Sequence, residues 1–120
     1  MGKGYKASGT RGFRFVKLWE NASPTSEFAA QTITVADMSG FDFLMLEYSL
    51  STTVQSRASQ IVTRGNPVLI NASANANSCG RRHVHYESDT KLRFETSNFN
   101  DNTSNTHLIP VTIYGIKGAM

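Results

Sequence analysis

The sequence predicts an all-β chain, an antiparallel β-sandwich of about eight short strands with a jelly-roll-like arrangement. Three observations predict it. Ser, Thr and Asn are abundant while charged residues make up only 18%, and these small polar side chains compete with helical backbone hydrogen bonds but suit turns and strand surfaces. Apolar residues recur at period two in short runs bounded by Gly, Pro, Asn and Asp, which is the strand pattern. No helical period extends beyond the single turn that residues 27–31 would allow. At 120 residues the chain is long enough for one domain with one core, burying roughly two-thirds of its unfolded surface.

Residues 1–12 carry Gly2, Gly4, Gly9 and Gly12 among Lys, Ser and Thr. Such a segment cannot bury enough apolar surface to fold alone and reads as a basic, Gly-rich arm. Residues 13–120 read as the sandwich domain. Its first strand, residues 13–19, places Phe13, Phe15 and Trp19 on one parity, interrupted by Lys17. A turn follows around Pro24 and Thr25, then a strand over residues 28–35 with Ile33 and Val35 on one face.

Residues 41–50 form the strongest strand. Phe41, Phe43 and Met45 alternate with Leu44, Leu46, Tyr48 and Leu50, so both faces are apolar and a central strand covered on both sides is expected. Residues 58–63 and 67–71 flank a turn at Arg64, Gly65 and Asn66. Residues 82–86 and 91–96 pair as a hairpin around Ser88, Asp89 and Thr90. Residues 71–80 and 98–106 are expected as polar loops. Residues 107–116 make the last strand, where Pro110 implies an edge position or an interruption near its start.

Several functions are disfavoured. The single cysteine, Cys79, cannot form a disulfide within the chain. No stretch approaches the roughly 20 apolar residues that cross a bilayer, and no secretory leader pattern opens the chain, so membrane insertion is not expected and synthesis in a reducing cytoplasm is. G-x-S-x-G, H-E-x-x-H and P-loop motifs do not occur, and no enzyme is expected.

Three constellations carry candidate chemistry. His83 and His85 alternate along a strand and project to one face. Two imidazoles are too few for a metal site in one chain, but three chains about an axis would supply six. The bland alternative is a solvated face beside Arg81 and Arg82. The segment Asn98, Phe99, Asn100, Asp101 and Asn102 offers amide and carboxylate hydrogen bonds with an aromatic plate, as sugar sites do, with Tyr86 and Trp19 as further stacking faces, although Trp19 fits the core better. An ordinary loop closed by Asx turns is the alternative. Five bases, Lys3, Lys6, Arg11, Arg14 and Lys17, precede the first acid, Glu20. Lys3, Lys6, Arg11 and Arg14 form a docking arm to another protein or, in a coat-type protein, to nucleic acid. The rest of the chain holds seven bases against nine acids, without the basic stripe of a nucleic-acid-binding domain.

Two stretches carry a resemblance. Residues 18–32 read L-W-E-N-A-S-P-T-S-E-F-A-A-Q-T, and residues 110–118 read P-V-T-I-Y-G-I-K-G, with G-F-D-F-L-M-L-E-Y between them. In this order they resemble small β-sandwich structural proteins of phage and prophage tail gene clusters. Trp19, Pro24, Phe28, Phe41, Tyr48, Pro110, Tyr114 and Gly115 form the shared framework, spanning about residues 13–117. The Gly- and Lys-rich start departs from the pattern. The resemblance implies a non-enzymatic virion part, tail-, fibre- or baseplate-associated, and transfers no catalytic residue. It implies self-association, a homotrimer above all, contact with other virion proteins, and a role in attachment to a host surface glycan. It also implies that a His83/His85 ring would take iron or another divalent metal across three chains. A monomeric carbohydrate-binding module and a small coat or decoration protein with a nucleic-acid-contacting arm are the alternative expectations.

Overall fold

The computed structural model describes residues 12–75 and 77–118. Among the described residues ten strands, all paired antiparallel, form two sheets that pack face to face. They are β1 (Phe13–Glu20), β2 (Gln31–Thr34), β3 (Phe43–Ser51), β4 (Arg57–Thr63), β5 (Val68–Asn75), β6 (Ser78–Ser88), β7 (Lys91–Phe94), β8 (Ser97–Phe99), β9 (Asn102–Ser104) and β10 (His107–Gly118). The first sheet has the order β1-β10-β3-β4. The second runs β2-β7-β6-β8-β9, with β5 on the other edge of β6. No helix occurs among the described residues.

The two strands beyond the expected eight, β8 and β9, lie in the segment expected as a polar loop. Phe99 pairs with Asn102 across a two-residue turn, and both turn residues have positive φ, 52° at Asn100 and 68° at Asp101. Paired positive φ values define the type I′ hairpin turn, for which Asn and Asp are among the tolerant residues. The other expected polar loop, residues 71–80, is the tip of the β5–β6 hairpin, where Ser73 pairs with Cys79.

Between the sheets lie Leu44, Leu46 and Tyr48 of β3, Leu108 and Ile113 of β10, Ile70, Val84, Leu92 and Phe94 of the second sheet, and Met38 and Phe28 from the connections. Trp19 meets Phe28 edge-on, with ring centroids 6.3 Å apart, and Phe28 meets Phe94 at 5.3 Å.

Three local irregularities correct the period-two reading. The register of β1 shifts between Lys17 and Trp19. This bulge turns Trp19 to the inner face, opposite Ile113, while Phe13 and Phe15 stay outside. Phe41 lies before β3 rather than in it. β10 is an interior strand, not an edge, and accommodates Pro110 at a second register shift between Pro110 and Thr112.

β3 is central, as expected, but the described residues cover one of its faces only. Leu44, Leu46 and Tyr48 are buried, whereas Phe43 remains 48% exposed. Cross-strand register places Phe13 and Phe15 of β1, Tyr114 and Ile116 of β10, Phe43 and Met45 of β3 and Ile61 of β4 on the same outer face.

Candidate functional site

The second sheet gathers most of the chemistry-bearing residues on its outer face. β6 is long, and one of its edges is shared. Val84, His85, Tyr86 and Ser88 pair with β7, while Gly80 and Arg81 pair with β8. Between these stretches the connection from β7 to β8 turns away, held by the Glu95 N–H donating to the His83 carbonyl at 3.0 Å. The split opens a groove of about 720 Å³ lined by Arg81, Arg82, His83, Arg93, Glu95, Thr96, Asn98 and Thr103, with residues 30–32 on the far wall.

Arg82 forms the floor. It is 1% exposed, and its guanidinium donates to four carbonyls: Nε to Leu108 at 3.0 Å, Nη1 to Phe28 at 3.0 Å and Glu95 at 2.9 Å, and Nη2 to His107 at 2.8 Å. Its carbon Cζ also lies 5.3 Å from the centre of the Phe28 ring. All four partners are neutral, and no carboxylate forms an ion pair with Arg82 among the described residues. Burial lowers its pKa to about 10, so it stays cationic at neutral pH and its charge is offset only by carbonyl dipoles.

His83 and His85 project together as expected, their rings 6.2 Å apart and near parallel at 26°. His85 Nε2 bonds the Glu95 carboxylate. That bond, with charge from His83 and Arg93, holds the Glu95 carboxyl below its ordinary range. No group of three metal-ligating side chains forms within one chain among the described residues. Metal–nitrogen bonds are about 2 Å, so an ion shared by both histidines would require their rings to turn toward one point. His107 is engaged elsewhere: its ring stacks on Phe99 at 3.9 Å and 14°, and its Nδ1 meets Ser104 Oγ at 2.7 Å.

The expected sugar-binding segment divides. Asn98 sits directly opposite Arg81 and lines the groove. Phe99 is wedged between His107 and Gly80, where an added Cβ would come within 2.7 Å of its ring. Asn100 clasps β6, its Oδ1 accepting the Cys79 N–H and its own N–H donating to the Cys79 carbonyl, both at 3.0 Å. Asp101 and Asn102 are exposed. Tyr86 bonds the Asp89 carboxylate through its hydroxyl, and Trp19 is committed to the core. Lys3, Lys6 and Arg11 lie outside the described residues. Arg14 is exposed on β1 directly opposite Lys117.

Sequence reasoning missed Arg81, Arg93 and Glu95 as groove residues. The alternation R-x-H-x-H over residues 81–85 and R-x-E over residues 93–95 carried a signal, because residues two apart on paired strands share one face. The groove itself comes from the split edge of β6, which no alternation encodes. Compared with protein-family models, with curated proteins and with solved structures, the chain matches none.

Proposed function

We propose that this chain is a non-enzymatic structural component of a phage particle, tail- or fibre-associated, that assembles with copies of itself as a homotrimer and contributes to host attachment. The observation that carries the self-association is the uncovered face of the first sheet. Phe13 is 72% exposed, Phe15 49%, Phe43 48% and Ile61 60%, and together with Ile116 they line one shallow, wholly apolar depression. Their exposed surface is on the order of 400 Å², in the range at which a patch on a protein surface is commonly functional.

A stable interface buries about 800 Å² on each partner, apolar at its centre and polar at its rim. The face offers an apolar patch at one end and polar groups along the remainder. Beyond the apolar end, the same outer surface carries Lys17 beside Glu20, ion-paired at 3.1 Å, and Glu47 and Arg57 on β3 and β4. Positive and negative groups balance, so a second copy meets no net repulsion there. Three copies around the particle axis bring three such faces together and leave the polar second sheet outward. The phage setting rests on the sequence resemblance.

The test is absolute mass in solution by light scattering, with and without a chelator. A concentration-stable trimer supports the reading, and its loss on chelation would add a metal ring at His83 and His85. A dimer would keep self-association and replace the threefold arrangement. A monomer at every concentration would overturn assembly by the isolated chain and favour the carbohydrate-binding module, which the groove of the second sheet suits.

A further inference from the structure

We infer that the groove at the split edge of β6 binds a sugar bearing a carboxylate, of the hexuronate type. The inference deepens the attachment part of the proposed function and rests on it, since it gives the outward sheet a class of receptor.

The groove is already formed in the folded chain. Its volume of about 720 Å³ lies within the 300–1,000 Å³ usual for small-ligand sites. Two guanidiniums stand on its walls. Arg81 projects beside Asn98, its register partner on β8, and Arg93 projects beside Thr32 and His85, its partners on β2 and β7's neighbour β6. Arg93 shares its charge with Glu87 at 3.4 Å. Arg81 has no ion-pair partner among the described residues. Beneath both lies the buried Arg82 cation, whose partners are carbonyls alone. Arg81, with no acidic partner among the described residues, therefore makes one end of this concave site positive, while Glu95 and Glu87 offset the charge at the Arg93 end.

The remaining chemistry selects the ligand. Arginine forks recognise planar carboxylates through paired hydrogen bonds. Thr32, Thr96 and Thr103 supply neutral hydroxyls, which suits hydroxyls spaced around a pyranose ring. A polyanion is a poorer match. Glu87 and Glu95 are interleaved with the arginines and would repel successive phosphates.

The experiment is an NMR titration of the full chain with digalacturonate, with neutral digalactose and with a ten-residue oligothymidylate, diffusion coefficients being recorded in the same samples. Saturable digalacturonate binding with Kd on the order of 1 mM is expected. It should be centred on residues 81, 93 and 98, absent with digalactose and weakened about tenfold in Arg81→Gln. Arg93→Gln should weaken it in the same direction, and thermal melts establish that both variants fold. No saturation with digalacturonate, equal binding of the neutral sugar, or tighter binding of the oligothymidylate would each overturn the inference. Diffusion reports assembly separately. Binding by a monomeric sample would uphold the groove while removing the trimer, and a trimer that ignores digalacturonate would do the reverse.

Discussion

The ring of Phe41 lies flat against Gly115. A Cβ built on Gly115 would come within 2.5 Å of the Phe41 ring, closer than any real side-chain contact. Gly115 faces the inner side of β10, opposite Leu44, and its missing side chain makes the space that lets Phe41 cap this end of the core before β3 begins. Lys117 Nζ, 5.6 Å from the ring centre, and the Arg64 Nε–H, donating to the Phe41 carbonyl at 2.6 Å, hold the arrangement from outside. Gly115→Ala should cost about 1–3 kcal/mol, the usual penalty of overpacking. Denaturant unfolding measures it, and the double variant Gly115→Ala with Phe41→Ala should recover part of the loss.

Arg82 ties three segments that are remote in sequence, and its fork geometry is the reason. Replacing it by Met would leave four carbonyls short of a donor, each costing about 1–3 kcal/mol if it stays buried. Arg82→Lys should be almost as damaging, because an ammonium has three donors on a point charge and cannot reach four carbonyls in a plane. Both variants should lose upwards of about 3 kcal/mol. A Lys variant as stable as the wild type would show that charge, rather than the fork, holds the junction.

Burial lowers the pKa of His107 from its ordinary value of 6.5. The unfolded chain therefore binds a proton at a higher pH than the folded chain does. Stability should fall as the pH drops through 6.5, with the full loss reached below the folded pKa. His107→Phe keeps the stack on Phe99 and removes the titration. Its melting temperature should decline less than that of the wild type between pH 7.5 and pH 5.

On the uncovered face of the first sheet, the double variant Phe15→Thr with Phe43→Thr should shift the solution mass toward the monomer while leaving the melting temperature of the monomeric fold nearly unchanged, since both rings are about half exposed. Sedimentation at several concentrations measures the shift. An unchanged mass would remove this face from the interface.

Alternation along the chain was enough to read most of the strands, the pairing of faces at His83 and His85, and the all-β class. It misled where one residue was inserted. Phe13, Phe15 and Trp19 share a parity, yet the bulge after Lys17 puts Trp19 in the core and leaves the two phenylalanines outside. β8 and β9 escaped because their residues are Asn, Ser and Thr, which suit a loop equally well. Their pairing with β6 and with each other, through the turn at Asn100 and Asp101, makes them strands. The two apolar faces of residues 41–50 were legible, but alternation says only that a face is apolar, not whether the same chain covers it.

β1 has one partner, β10: residue 13 pairs with residue 118 and residue 20 with residue 112. The Ala36 N–H donates to the Leu18 carbonyl of β1, but among the described residues no other strand pairs with β1, and β3 likewise lacks one of its two neighbours until β10 has emerged. The first sheet therefore closes late, after nearly all of the described chain has been synthesised. Such distant pairing slows folding. Throughout that delay Leu18 of β1 and Leu44 and Leu46 of β3, buried in the folded chain, stay available to neighbouring nascent chains, which makes slow closure an aggregation risk.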